Sequence, residues 1–218
     1  MQFYPIEDHS WVAIDIHHNL GEQATLSTNK IRSTYKAGSM YCRQLLKNLQ
    51  QALNVTGELM DTNFPYHFIT ADGYTWYVSF SHSRQHAAVL ISPYTNIGID
   101  VEDSAISHQV ASRFFSPHEY QWLNQKPAVN QAVLRNLLWR LKECSIKTHQ
   151  NADKQLIKEL KHDVLDELGE EVINQLIGAD EINAKDKAKD KPIQCMQTDA
   201  KIIGNFSSKP CSFIIVNR

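Results

Sequence analysis

Several large classes of protein are excluded by what the sequence lacks. There is no excess of positive charge: 22 lysines and arginines stand against 24 aspartates and glutamates, a formal net charge of -2. A chain that coats nucleic acid carries a strongly basic domain, so no nucleic-acid partner is expected, although a local basic patch for a phosphate ligand remains open. No run of about 18 apolar residues exists, so no membrane span is expected. The opening residues Met1-Gln2-Phe3-Tyr4-Pro5 lack the charged segment and apolar core of a secretory signal, which points to the cytoplasm. The four cysteines, Cys42, Cys144, Cys195 and Cys211, include no C-x-x-C pair. A zinc site or a thioredoxin-like motif therefore lacks its ligand spacing, and reduced, buried thiols are expected. Cys195 and Cys211 would approach each other if the C-terminal strands pair. No convincing internal repeat is visible.

What is present is an ordinary globular composition, 42% apolar and 21% charged over 218 residues, enough for one large or two small domains. Trp11 to Ile16 reads as a strand, and Leu45, Leu46, Leu49 and Leu53 mark a helix across Ser39 to Leu53. Asp72-Gly73 is a turn signal between short strands, followed by strands over Thr75 to Ser79, Ala87 to Ser92 and Ile97 to Glu102. The second half opens on Phe115-Ser116-Pro117-His118-Glu119-Tyr120. Here Ser116 suits a helix N-cap, Pro117 the first helical position, Glu119 a capping box, and Phe115 with Tyr120 a hydrophobic staple. A long helix is expected over Asn130 to Thr148. A weaker amphipathic run follows on Leu156, Leu160, Val164, Leu165 and Leu168, then the charge-mixed, low-complexity stretch Ala184 to Lys191, read as a solvated loop. Strands over Ile193 to Thr198 and Ser212 to Val216 close the chain. The expected architecture is α+β in two halves, 1–104 and 105–218, the second carrying a polar loop near 151–191.

Two acids lie in Gly98-Ile99-Asp100-Val101-Glu102. Strand side chains alternate faces, so Asp100 and Glu102 share one face while Ile99 and Val101 take the other. Neighbouring carboxylates repel, and one takes up a proton unless a cation lies between them. Magnesium typically uses one or two carboxylates together with water and substrate phosphates. Two solvated acids on an exposed strand face have the same spacing, and the pair alone does not separate these readings. On the long helix, Leu134, Leu138, Leu141 and Ser145 form one stripe and Asn136, Arg140, Glu143 and Lys147 another. Glu143 and Lys147 stand in the order that favours an i, i+4 ion pair. They fit a plain surface pair, or equally a third metal ligand beside a phosphate-facing lysine.

The order of these pieces is more specific than any one of them. Ser79-Phe80-Ser81-His82-Ser83 precedes Gly98-Ile99-Asp100-Val101-Glu102. Then come Arg113-Phe114-Phe115-Ser116-Pro117-His118-Glu119-Tyr120 and Leu138-Trp139-Arg140-Leu141-Lys142-Glu143-Cys144-Ser145-Ile146-Lys147. This resembles the 4'-phosphopantetheinyl transferases of the surfactin-synthetase-activating type, whose pattern runs I-S-H-S, G-I-D-[IV]-E, R-F-F-S-x-x-E-Y and L-W-x-x-K-E-x-x-x-K. The resemblance covers residues 79 to 147.

The resemblance implies two similar α+β halves related by a pseudo-twofold axis, with coenzyme A in the cleft between them. It implies transfer of phosphopantetheine from coenzyme A to a serine hydroxyl of an apo acyl or peptidyl carrier protein, a transient partner, by a cytoplasmic monomer. It gives Asp100, Glu102 and Glu143 as ligands of Mg2+, Glu143 or a water on the metal as the base, and Lys147 as the residue that stabilises or protonates the leaving phosphate. His82 is implied on the 3'-phosphate side of coenzyme A, with Ser81 beside it. Arg43, in Arg43-Gln44-Leu45-Leu46, matches a ligand arginine, and Lys30, Arg32 and Lys36 form a basic cluster suited to the same anion. Glu119 is explained by its capping box.

The chain departs from the pattern in three places. Gly73-Tyr74-Thr75 replaces a Gly-Lys-Pro whose lysine contacts the nucleotide, Ser79 replaces an asparagine, and Thr148-His149-Gln150 follows Lys147 without the usual glycine. Residues 151–191 match nothing in it. Two other readings stay open on these residues: a magnesium-dependent phosphate-ester hydrolase, and a degenerate homologue that binds coenzyme A or a carrier without catalysis.

Overall fold

A computed structural model describes residues 1–6, 9–16, 28–149, 162–183, 193–198, 200–206 and 209–216, without the side chains of 28–36, 177–183 and 194. The elements in chain order are β1 (Gln2–Ile6), β2 (Ser10–Ile16), α1 (Thr28–Ala52), β3 (His67–Ile69), β4 (Thr75–His82), β5 (His86–Ser92), β6 (Asn96–Val101), α2 (His108–Phe114), α3 (Pro117–Asn124), α4 (Ala128–His149), α5 (Val164–Leu168), α6 (Glu170–Asn183), β7 (Gln194–Gln197), β8 (Lys201–Asn205) and β9 (Cys211–Val216). Every pairing between these strands is antiparallel, so the fold is α+β. One sheet has the order β1-β2-β5-β4-β3 and the other β6-β9-β8-β7.

The strands alternate as the period of two requires, but both faces of each sheet are covered, so they read as nearly continuous apolar runs. Ala13, Val78, Val89 and Ile91 face Cys42, Leu45, Leu46 and Leu49 of α1. Val12, Ile14, Ala88 and Leu90 turn the other way and meet Ile97, Ile99, Val101, Phe213 and Ile215 of the second sheet. Ile203 and Ile214, on the far face of that sheet, pack under Leu134, Leu138 and Leu141 of α4 and under α5 and α6. The layers therefore run helix, sheet, sheet, helices.

α1 begins eleven residues before Ser39, the start expected from its leucines. Those leucines mark only the part of the helix that crosses the sheet. The short elements β1, α2 and β8 and the helix α6 were not expected, whereas β3 is the short strand expected before the Asp72-Gly73 turn. Strand β8 separates β7 from β9, so Cys195 and Cys211 lie on non-neighbouring strands, and all four cysteines are free. The amphipathic run expected from Leu156 appears as α5, with Val164, Leu165 and Leu168 buried. Its first part, like the low-complexity stretch Ala184 to Lys191, lies outside the described residues. Among the described residues no helix is long and apolar enough to cross a membrane.

Two acids, Glu119 and the largely buried Glu167, hold the helical layer. The expected capping box forms: Ser116 Oγ accepts from the Glu119 amide at 3.0 Å, and Glu119 Oε2 accepts from the Ser116 amide at 2.7 Å. Glu119 does more than cap. It is fully buried, accepts from Lys142 Nζ at 2.9 and 2.8 Å, and accepts from the Val164 amide at 2.8 Å. It thereby ties α3, α4 and α5 together. Removing one partner of such a pair strands the other as an uncompensated buried charge. Glu167 accepts from Ser145 Oγ, from His162 Nε2 at 2.5 Å and from Lys201 Nζ at 2.6 Å, joining α5 to α4 and β8.

Burial alone would raise the Glu167 pKa, but these three donors outweigh it and bring the value from 4.5 down to about 2. A depressed carboxyl stabilises the fold above its unfolded pKa and loses that contribution as pH falls through the folded value; the shift corresponds to roughly 3 kcal/mol at neutral pH. Urea unfolding should therefore find Glu167→Gln less stable than wild type by about 2–3 kcal/mol at pH 7, with the gap closing as pH falls from 4.5 toward 2. Glu119→Gln should cost about 3–5 kcal/mol at pH 7.

Candidate active site

β6 is an edge strand, and its outer amides need acceptors that no neighbouring strand supplies. Two hydroxyls of β4 supply them. Ser79 Oγ accepts from the Ile99 amide and Ser81 Oγ from the Val101 amide, each at 3.2 Å. Residues 79 and 81 share a face of β4, opposite Val78 and Phe80, which turn to α1. The serine that replaces asparagine in the family pattern thus has a defined structural part.

Ser81 Oγ also donates to Asp100 Oδ1 at 2.9 Å, which fixes the first of the expected acids. Asp100 is buried, at 7% exposure, on the α4 side of β6. Gly98 shares that side. A Cβ there would lie 2.1 Å from the Cys144 carbonyl oxygen, so the glycine allows α4 to approach β6 this closely. That approach brings in Lys147, whose Nζ donates to the Ile99 carbonyl at 2.6 Å and to Asp100 Oδ1 at 3.1 Å. The i, i+4 pair expected between Glu143 and Lys147 gives way to this longer-range one, because a buried carboxylate demands a charged donor more strongly than a half-exposed one. Burial opposes the charge on Lys147, but the Asp100 carboxylate outweighs it and raises the amine's pKa.

Glu143, half-buried on α4, has its pKa raised by burial first and then by the negative charges of Asp100 and Glu102. This is the like-charge conflict that a cation would relieve, and the donor set is all oxygen, as a hard divalent ion requires. The fit is chemical rather than geometric. Glu102 Oε1 accepts from the Ser104 amide at 2.8 Å. Among the described residues the three metal-capable side chains whose atoms lie within 4.8 Å of one another are His118, Asp163 and Asp166, around the start of α3 and α5, not Asp100, Glu102 and Glu143.

A cavity of about 260 Å³ lies against Ser81 and Lys147, the partners of Asp100. It is lined by Ser39, Cys42 and Arg43 of α1, Phe64 and Tyr66 of the loop before β3, Ser79 to His82 of β4, and Lys147 of α4. Ser81, His82, Arg43 and Lys147 therefore share one wall, while Asp100, Glu102 and Glu143 are not in the wall itself. His82 packs its ring on Gly38 of α1, where a Cβ would come within 2.7 Å of Nδ1. The turn after it is clasped to the end of β6: Asp103 accepts from Ser83 Oγ, from the Gln85 amide at 2.6 Å and from His86 Nδ1 at 2.5 Å. Lys30, Arg32 and Lys36 lie on α1, but their side chains are outside the described residues. Tyr74, at the Gly-Lys-Pro position, lies at the opposite end of β4 and lines a different hollow with Trp11 and Trp76. Sequence reasoning missed the wall residues Ser39, Phe64, Tyr66 and Phe80, for which no local pattern exists. Ser79 had a signal, the two-residue spacing from Ser81.

The cavity has cationic and hydroxyl groups in its wall, and two of them, Ser81 and Lys147, hold Asp100. Residues 96–194 match the family model of the 4'-phosphopantetheinyl transferase superfamily. The matched domain runs from β6 to the start of β7, includes Asp100, Glu102, Glu143 and Lys147, and supports a transferase that moves phosphopantetheine. No curated protein matches the chain.

Both glycines are open to test. Gly98→Ala meets backbone and should destabilise the protein by about 3 kcal/mol or more in denaturant unfolding. Gly38→Ala meets a movable ring and should cost about 1 kcal/mol, with a displaced His82 resonance in the NMR spectrum as its signature.

Proposed function

We propose that the protein transfers 4'-phosphopantetheine from coenzyme A to a serine hydroxyl of an apo acyl or peptidyl carrier protein, with Mg2+, releasing adenosine 3',5'-bisphosphate. The observation that carries the reading is a coincidence of two kinds of information. The stretch that matches the superfamily contributes Lys147 to a cavity wall that Ser81, His82 and Arg43 share from outside that stretch, and Lys147 bonds Asp100, whose charge acts with that of Glu102 on Glu143.

In this reading the carrier serine attacks the phosphorus that bears the pantetheine. The bond from that phosphorus to the bridging oxygen breaks, and the leaving group departs in line. Asp100, Glu102 and Glu143 would hold the magnesium, which supplies charge stabilisation for the pyrophosphate oxygens. Glu143, or a water on the metal, would take the serine proton. Lys147 gives a proton or hydrogen bond to the leaving phosphate, having exchanged Asp100 for it. Ser81, His82 and Arg43 bind the nucleotide end, with Lys30 of α1 as a further cation. The finer assignment is the two-domain, monomeric, surfactin-synthetase-activating type, acting in the cytoplasm, its halves 1–104 and 105–218 related by a pseudo-twofold axis.

Mass spectrometry of an apo carrier incubated with the protein, coenzyme A and magnesium tests this directly. The carrier should gain one phosphopantetheine. A phosphate-ester hydrolase would consume coenzyme A and leave the carrier unlabelled, and a binding-only homologue would do neither. Asp100→Ala and Glu102→Ala should each slow labelling at least about 100-fold, more than loss of an outer-shell partner costs, while remaining folded by circular dichroism. Wild-type labelling by either variant at limiting magnesium would remove the metal assignment.

A further inference from the structure

Arg43 is held more firmly than an exposed salt bridge requires. Asp61 Oδ2 lies 2.7 Å from its Nε and 2.6 Å from its Nη2, while Nη1 donates to the Ser39 carbonyl at 3.0 Å and to Ser39 Oγ at 2.5 Å. Four of the five guanidinium N–H groups are engaged in these contacts. The Phe80 ring supports the guanidinium from β4, 5.6 Å from its centroid. Three separate pieces of chain thus fix one side chain in the wall of the cavity.

Asp61 is itself anchored. The loop it opens is closed by paired bonds between Met60 and His67, at 2.7 and 3.2 Å, and its far end is tied to β4 by the Val78 amide on the Tyr66 carbonyl at 2.8 Å. The same loop presents Phe64 and Tyr66 to the cavity. The Arg43 and Asp61 side chains are 38% and 27% exposed, and a pair so placed adds little to stability. A planar guanidinium has long rotamer freedom, however, and recognises an anion best when its plane is held in advance.

We propose that Asp61 is a positioning residue: it orients Arg43 in the wall of the cavity so that the remaining N–H and the charge meet the anionic end of the ligand. The proposal rests on the reading of that ligand as coenzyme A. Its consequence falls on binding, because Arg43 shares the cavity wall with Lys147 but pairs with Asp61, whereas Lys147 pairs with Asp100.

Carrier labelling kinetics at varied coenzyme A test it, with Asp61→Asn, Arg43→Ala and the double variant. Asp61→Asn keeps the shape and removes the charge. It should raise the KM for coenzyme A about tenfold and leave kcat within about twofold of wild type. Combined with Arg43→Ala it should add nothing further, since Asp61 acts only through that arginine, and Asp61→Glu should restore part of the loss. A KM that is unchanged or lowered in Asp61→Asn overturns the proposal, as do additive effects in the double variant. Calorimetric affinities for coenzyme A carry the same coupling without turnover. Failed labelling with the coupling intact would sink the transferase reading alone. Equal affinities of wild type and Asp61→Asn would sink the positioning role alone.

Discussion

The edge of β6 is satisfied by two serine hydroxyls rather than by another strand, and the site depends on that seam. Ser79 and Ser81 accept from Ile99 and Val101 and so join the two sheets through side chains. An unsatisfied buried amide is costly, so the register between β4 and β6 is strongly specified. A slip of one residue would turn Val78 and Phe80 to the seam and leave both amides unpaired. Because Ser81 also donates to Asp100, the same bond that closes the fold sets the first acid of the site.

α4 is held between two electrostatic systems. On one side Lys147 reaches Asp100, through the gap that Gly98 leaves. On the other, Lys142 meets Glu119, and Ser145 meets Glu167. Buried charges are expensive to desolvate, and pairs of this kind are better understood as fixing one arrangement than as adding stability. Here the arrangement fixed is the rotation of α4 about its axis. That rotation decides whether Glu143 stands near Asp100 and Glu102, whose charges raise its pKa after burial has done so.

The cavity is a joint product of both parts of the chain. The matched domain contributes Lys147, while α1, β4 and the loop carrying Phe64 and Tyr66 contribute the remainder. The Gly-Lys-Pro position, where Tyr74 stands, is at the far end of β4. The cationic groups described in this wall are instead Arg43 and Lys147, each already held by an acid.

Local patterns in the sequence determined much of this. Short apolar runs bounded by turn signals disclosed β2, β4, β5, β6 and β9; leucine spacing disclosed α4 and the buried part of α1; and Ser116, Pro117 and Glu119 disclosed the start of α3. All of these are short-range signals that one segment carries by itself. The ordered motifs also singled out Asp100 and Glu102 as a candidate pair. Tertiary structure alone decided the rest. Glu119 became a three-helix tie, Lys147 chose Asp100 over its helical neighbour Glu143, and Ser79 became an edge cap. Asp61 met Arg43, eighteen residues away in sequence. Each depends on which groups the fold brings together from distant parts of the chain, and no periodicity along the chain encodes that.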